Sequence, residues 1–253
     1  MDRTVRIKLV LQYNGTQYKG WQRQKSCVNT VQQQLEEALT KICNQEITVH
    51  ASGRTDAGVH ALGQVVHFDT QTYRELDRYV SGCNHFLPAT IRVLDACIVE
   101  QDFHARFSSI AKTYCYKFYV GKECAILHDK AMHVCVMPNL QWMEHACDLL
   151  VGNHDFASFM GAGVCVHSTK RTVIRCGVKS STDSFTGQKL IDLTITANGF
   201  LYNMVRRIAG LVLRIGLGEM NLQAVQWSLE NKDKKYTTLV APSCGLYLTG
   251  VQY

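Results

Sequence analysis

The sequence has few residues that break or loosen a chain. Only 3 of its 253 residues are proline, and it has no Ser/Gly-rich linker, charge run or low-complexity segment. No stretch approaches the roughly 20 apolar residues of a membrane-spanning helix. Residues 1–5 also lack the apolar segment of a secretory signal. We therefore expect a compact cytoplasmic protein of one large domain or two smaller ones.

Motifs for metal or dinucleotide binding are also missing. Eleven cysteines are scattered, and no two have the C-x-x-C spacing of zinc ribbons or thioredoxin-like sites. His60 and His67 have no carboxylate or cysteine at metal-ligand spacing, and His104 with Arg106 is typical of a junction between domains. We expect no metal and no cofactor, and we interpret the cysteines as reduced thiols that pack as small apolar groups.

The charge balance is modestly basic. Lys and Arg total 27 against 21 Asp and Glu, which gives a net charge of +6. This excess is compatible with an anionic partner such as nucleic acid, but many enzymes carry as much.

Residues 53–60, Gly-Arg-Thr-Asp-Ala-Gly-Val-His, form the most distinctive segment, which we call the aspartate loop. It lies between predicted strands at 47–52 and 62–69, and its two glycines permit positive φ. Arg54 would favour the ionised form of Asp56. An ionised Asp at such a place serves as a nucleophile, a general base, a metal ligand or an ion-pair partner. It is also a common turn residue that bonds its own backbone.

The first part of the chain has the order β-α-β-β-α-β. Residues 5–13 alternate as in a half-buried strand, and 91–99 form the last strand. Capping boxes at Thr30/Gln33 and Thr72/Glu75 predict the starts of two helices. This is the ferredoxin-like order.

The second part reads as an elaborated copy, β-α-β-β-α-(α)-β. Its predicted strands are 112–120, 172–178, 189–197 and 246–252, and its helices are 140–150, 204–215 and 222–229. We predict an α+β fold with two ferredoxin-like βαββαβ halves, whose antiparallel sheets join side by side with the active-site cleft between them. The predicted domains are 1–107, which carries the aspartate loop, and 108–253, which carries the tyrosine strand and arginine helix.

Two further features have chemical potential. Arg206 and Arg207 lie in the first turn of a predicted helix, where the helix dipole disfavours cations. Such a placement hints at phosphate binding or carboxylate pairing, although a structural ion pair and a solvated side chain remain equally open. Tyr114 lies on one face of a strand with Tyr116, which favours core packing, but a tyrosine at a strand end can instead stack on a base.

The aspartate loop, continuing into Ala-Leu-Gly-Gln-Val-Val-His-Phe at 61–68, closely resembles the signature loop of the tRNA pseudouridine synthase A family. Further segments resemble family motifs: residues 13–16 and 20–24, 102–107, 112–116, 199–206 and 241–248. The chain departs from the pattern at Asn14, where the family commonly has Asp, and at Thr113, where a second basic residue is frequent. The resemblance covers essentially the whole chain.

The resemblance implies a cofactor-free isomerisation of uridine to pseudouridine at nucleotides 38, 39 and 40 of the tRNA anticodon stem-loop. It implies that Asp56 is the nucleophile, at C1′ or C6, and that Arg206 pairs with it. Tyr114 would pack on the flipped base, and Arg54 would fill the gap that the base leaves or grip phosphate. Backbone contacts would come from the loop cations Lys19, Arg23, Lys25, Arg106, Lys170, Arg171 and Arg207. The family acts as a homodimer.

Two rival classes follow from the residues alone. The strand and helix order also suits a non-catalytic RNA-binding protein with RRM-like halves, although the aromatic RNP1 pattern is missing. An acid-nucleophile hydrolase is poorly supported, because the loop has no second carboxylate beside Asp56.

Overall fold

A computed structural model describes residues 4–24 and 29–253. The chain forms two compact units, one of residues 1–110 with Tyr247–Tyr253 and the other of Ala111–Leu246. Within the described residues there are five α-helices, and none is long and apolar enough to cross a membrane. The protein is therefore of the predicted α+β class.

The first unit has the predicted order of strands and helices. Its elements are β1 (Val5–Tyr13), α1 (Val31–Cys43), β2 (His50–Ala51), β3 (His60–Thr70), α2 (Leu76–Phe86), β4 (Ile91–Val99) and most of β10 (Leu246–Gln252). Strand β1 lies between β4 and β3 and pairs antiparallel with both. Strand β2 is antiparallel to β3, whereas β10 is parallel to it. The prediction of purely antiparallel sheets is therefore wrong at β10.

The alternation of β1 supplies part of the first unit's core. Ile7, Leu9 and Leu11 are fully buried. Burying each such side chain contributes about 1.5–3 kcal/mol relative to leaving it exposed. The pattern that predicted a half-buried strand is thus confirmed in position and in face.

Two local predictions in this unit are wrong. The strand predicted at 47–52 shrinks to His50–Ala51, because the backbone N–H groups of Ile47 and Val49 donate to side chains of α1 rather than to a neighbouring strand. The second capping box does not form. Thr72 lies in a turn where its N–H donates to Thr70 Oγ1, and α2 begins at Leu76 after Glu75, whose side chain makes no cap.

The second unit contains the remaining elements. They are β5 (Ala111–Val120), β6 (Met132–Val134), α3 (Leu140–Asp148), β7 (Gly152–Asp155), β8 (Lys170–Thr182), β9 (Lys189–Ala197), α4 (Met204–Gly216) and α5 (Gln223–Glu230). Strands β5, β9, β8 and β7 neighbour one another in that order, all antiparallel, and β6 adds parallel to β5. The sequence did not predict the short strands β6 and β7, and the parallel pairing of β6 is a second departure from the predicted antiparallel sheets.

Candidate functional site

The aspartate loop is a compact turn at the start of β3. The N–H of Val59 donates to the carbonyl of Asp56 at 3.1 Å, and the carboxylate-bearing residue is partly exposed. Gly58 has φ +77°, as predicted, whereas Gly53 does not adopt positive φ. The turn therefore needs one glycine, at its C-terminal end, and it presents Asp56 at the surface of the first unit.

The loop of residues 14–24 packs against the backbone of the aspartate loop. The N–H of Trp21 donates to the carbonyl of Thr55 at 3.0 Å, and the N–H of Gly58 donates to the carbonyl of Tyr18 at 3.3 Å. Gly20 has φ +94°, and a Cβ there would lie 2.8 Å from the carbonyl oxygen of Thr55. Only glycine fits both the conformation and the space, so the neighbouring loop braces the turn that carries Asp56.

A buried polar network holds the other side of the turn. The hydroxyls of Tyr13 and Thr55 are 2.8 Å apart, and Tyr13 is 4% exposed. Gln64, fully buried in β3, donates to the carbonyl of Gly53 at 2.7 Å and accepts from Ser52 Oγ at 2.8 Å. Burial raises the pKa of Tyr13 to about 12, with its hydrogen bonds to Thr55 and Gln64 opposing the shift, so its phenol stays protonated at neutral pH. Paired polar groups without solvent access favour a single geometry. Here they fix Ser52 and Gly53, which precede Arg54, and Thr55, which precedes Asp56.

The predicted cations of the first unit have different surroundings. Arg54 is exposed, and Arg106 is exposed with its guanidinium 5.5 Å from the ring of Phe107. Arg23 instead forms a 3.1 Å ion pair with Glu36, a carboxylate on α1 that is only 4% exposed. Arg23 therefore has a structural task, because a buried carboxylate needs a cation beside it.

His60 and His67 are both buried. His60 accepts from the N–H of Gly15 at 3.2 Å, and its ring stacks on Tyr247 at 4.6 Å. His67 accepts from the N–H of Ala105 at 3.1 Å beside the rings of His50 and His104. Burial, with the charge of His104, lowers the pKa of His67 to about 4, so this imidazole is neutral at physiological pH.

In the second unit, Tyr114 lies near the start of β5. It is 7% exposed, and its ring meets Phe200 edge to face at 5.0 Å. The next tyrosine on this face, Tyr116, is fully buried and donates its hydroxyl to the carbonyl of Pro242 at 2.7 Å. Tyr116 is thus core, while Tyr114 lies beside the segment that leads into α4.

Arg206 lies in the first turn of α4, as predicted, and two acceptors hold its guanidinium. Nε donates to the carbonyl of Ala241 at 2.7 Å, and Nη1 donates to Oδ1 of Asn203 at 3.0 Å. The side chain is partly buried. The neutral acceptors orient the guanidinium without removing its positive charge.

The guanidinium of Arg207 has different partners from that of Arg206. Its Nη1 donates to the carbonyl of Thr237, and Nε is buried. Burial, with the charge of Arg206, lowers the pKa of Arg207. The alternative that Arg207 is a solvated side chain is therefore wrong, because its guanidinium is partly buried in the second unit.

Of the remaining loop cations, Lys19 and Lys170 are exposed. Arg171 is partly buried and donates from Nη1 to the carbonyls of Ser168 and Lys170. Lys25 lies outside the described residues.

The predicted site residues fall into two groups. Asp56, Arg54, Arg23 and Arg106 belong to the first unit, whereas Tyr114, Arg206 and Arg207 belong to the second. The pairing of Asp56 with Arg206 therefore stays a prediction.

Sequence reasoning missed Gln64, Tyr13 and Asn203. All three lie in segments that resemble family motifs, but nothing in those segments assigns them a role. A polar residue among the apolar residues of a strand was the available signal, because a buried amide must find partners.

Known proteins match residues in both units of the chain. The family model for tRNA pseudouridine synthase matches residues 9–108 and 146–253. The chain is 40% identical over 250 residues to the tRNA pseudouridine synthase A of Aliivibrio fischeri, covering 98% of this chain and 93% of the relative. It is 41% identical over 250 residues to that of Glaesserella parasuis, with the same coverage. It is 38% identical over 251 residues to that of Blochmanniella pennsylvanica, again with the same coverage.

Proposed function

Because the chain belongs to the tRNA pseudouridine synthase family, we propose that it forms pseudouridine in the anticodon stem-loop of tRNA, at nucleotides 38, 39 and 40. The protein is an isomerase that acts on tRNA, since the family and its relatives are tRNA pseudouridine synthases. The observation that carries this conclusion is the match of the family model to residues 9–108 and 146–253, which contain the aspartate loop, together with 40% identity to a relative over 98% of the chain. The three positions rest on the family resemblance.

The reaction balances within one nucleotide. The N1–C1′ bond breaks and a C5–C1′ bond forms, while the proton on C5 leaves and N1 gains one. No group is added and no electrons are transferred to another molecule. We therefore propose that the enzyme works without a cofactor, using only its own side chains.

We propose Asp56 as the nucleophile that attacks either C1′ of the ribose or C6 of the base. Its partly exposed position on a turn with a fixed backbone supports this role. A carboxylate on a fixed backbone keeps its orientation when the substrate binds. The target nucleotide must leave its stack to meet this carboxylate, which costs a few kcal/mol.

Arg206 and Tyr114 are the proposed partners of Asp56. Two hydrogen bonds already fix the Arg206 guanidinium. Its side chain therefore loses less rotamer freedom when it pairs with a carboxylate. Tyr114 offers an aromatic face to the target base. Both assignments rest on the family motifs around them.

We propose that four arginines contact the RNA, and the support for them differs: Arg54, Arg23, Arg106 and Arg207. The exposure of Arg54 and Arg106 favours contact with phosphate. Arg23 and Arg207 already have structural partners in Glu36 and the Thr237 carbonyl, so only the resemblance supports them.

We also propose that residues 1–107 and 108–253 are two ferredoxin-like βαββαβ halves, the second an elaborated copy of the first, and that two chains form a homodimer. The order of elements in the first unit, with β1 between β4 and β3, supports the first proposal. The homodimer follows from the family resemblance and is tested by the molar mass of the purified protein in solution.

The test is position mapping on tRNA transcripts. The purified protein is incubated with transcripts that have uridine at 38, 39 and 40, and with matched transcripts in which each uridine is replaced by cytidine. We expect pseudouridine at these three positions and the loss of one signal for each replacement. Pseudouridine elsewhere in the tRNA would refute the assigned positions, and none in any tRNA would refute the function.

A further inference from the structure

We infer that Asn203 is a positioning residue that holds the Arg206 guanidinium in its working orientation. The inference rests on the proposed role of Arg206 and adds a residue whose own side chain need not touch the substrate. It is carried by the backbone conformation of Asn203, by the hydrogen bond of its side chain, and by a comparison with another helix of the same chain.

Asn203 has a backbone conformation that is unusual for its place. It precedes α4 as the N-cap and has φ +60° and ψ +5°, in the left-handed region. N-cap residues normally have extended backbones. Among the described residues, the only other non-glycine with positive φ is Asn44, which follows the C-terminus of α1, where this conformation is common.

The side chain of Asn203 also departs from the usual N-cap pattern. At α3, Asn139 is extended, and its Oδ1 accepts from the backbone N–H of Trp142, three residues on. At α4, Oδ1 of Asn203 makes no such cap and accepts instead from Nη1 of Arg206, also three residues on, at 3.0 Å. The same residue type at the same helix position thus bonds a guanidinium rather than the helix backbone.

The neighbouring contacts fix this arrangement. The N–H of Gly161 donates to the carbonyl of Tyr202 at 2.7 Å, and a Cβ on Gly161 would lie 2.4 Å from the Tyr202 ring. The segment before α4 is therefore closely packed. On the other side, Ala241 accepts from Nε of Arg206 and donates its own N–H to the Arg206 carbonyl at 3.2 Å. Asn203 and Ala241 together hold two of the three guanidinium nitrogens.

A neutral acceptor suits this task. Asn203 orients Arg206 through a neutral amide oxygen, which adds no negative charge beside the guanidinium. An Asp at the same place would itself pair with the guanidinium. Loss of the Asn203 amide would let the long side chain sample other rotamers, and a misplacement of about 1 Å can cost about 100-fold in rate.

The test compares Asn203→Gly with Asn139→Gly. Glycine accepts φ +60° without strain, so Asn203→Gly removes only the side-chain acceptor. We expect its kcat on tRNA to fall about 10–100-fold while KM changes less than about threefold. Asn139→Gly deletes the same amide from α3, and we expect its kcat and KM to be unchanged. Thermal melts establish that both variants fold.

A double-mutant cycle separates positioning from a structural role. Arg206→Lys replaces the guanidinium that Asn203 holds by an ammonium group. Adding Asn203→Gly to this variant should therefore lower kcat no further. An unchanged kcat for Asn203→Gly alone, an equal fall in both backgrounds, or failure of that variant to fold would overturn the inference. Normal turnover of Arg206→Lys and Arg206→Ala would instead overturn the proposed role of Arg206, which is a distinct outcome.

Discussion

Replacement of Gln64 by Met tests the claim that a buried network shapes the aspartate loop. Methionine has nearly the volume of glutamine but no amide, so the change removes hydrogen bonds rather than packing. Gln64→Met would leave the carbonyl of Gly53 and the hydroxyl of Ser52 without their present partners. It would also remove the 3.4 Å contact with the Tyr13 hydroxyl.

The magnitude follows from the number of groups left unpaired. Each buried polar group without a partner costs about 1–3 kcal/mol. Because Gly53 is partly exposed, water can compensate in part there, and we expect a loss of about 2–4 kcal/mol in the free energy of unfolding. For a chain of this size, that loss corresponds to a fall of about 5–15 °C in Tm.

The assay is a thermal melt combined with turnover on tRNA at a temperature where the variant is folded. We expect kcat to fall by about tenfold or more, because the turn that presents Asp56 loses one of its anchors. Gln71→Met is the matched control, since Gln71 is exposed just after β3. If the two variants melt and turn over alike, the network does not position the loop.

Three further predictions concern single contacts. Gly20→Ala adds both backbone strain and a clash with the aspartate loop. It should therefore lower stability and turnover more than Gly187→Ala, where φ is also positive, at +70°, but the added Cβ contacts no other atom. Equal melting temperatures and equal turnover of the two variants would contradict the clash. Arg23→Gln removes the cation beside the buried Glu36 carboxylate, and because Arg23 is half exposed we expect a cost of about 1–3 kcal/mol in unfolding free energy. The double variant with Glu36→Gln should regain part of this loss, and no recovery in denaturant titrations would argue against the ion pair. His67 has a folded pKa of about 4 against an ordinary 6.5, so the unfolded chain binds more protons between these values and stability should fall by about 1–3 kcal/mol as pH drops from 6.5 to 4. Denaturant titrations of His67→Gln across that range should show a shallower fall, and an unchanged pH dependence would count against the shift.

The elements best predicted from the sequence are those with a strong period. Strands β1, β4, β9 and β10 match the predicted bounds, because apolar alternation on a half-buried strand leaves little freedom of register. At residues 47–52 the alternation was real, since Ile47 and Val49 are buried. The partner of the backbone was a helix side chain, which no local pattern reveals.

The candidate site was predicted unevenly for a related reason. The sequence singles out Asp56, Tyr114 and Arg206 because they lie in recognisable motifs. The groups that fix Asp56 and Arg206 are distant in sequence or ordinary in type: Tyr13 meets Thr55 across 42 positions, and Ala241 contributes only a carbonyl, 35 positions from Arg206. Such contacts depend on the folded arrangement and leave no spacing rule.

The most direct measurement is pseudouridine formation by Asp56→Asn, which keeps the size of the side chain but removes its charge. Asp95→Asn is the control, since Asp95 is an exposed carboxylate on β4. Pseudouridine and uridine have equal mass, so the nucleosides of digested tRNA are separated by chromatography before mass detection. We expect Asp56→Asn to bind tRNA and form no pseudouridine, while Asp95→Asn performs like the unaltered protein. Substantial pseudouridine formation by Asp56→Asn would contradict the assignment of Asp56 as the nucleophile.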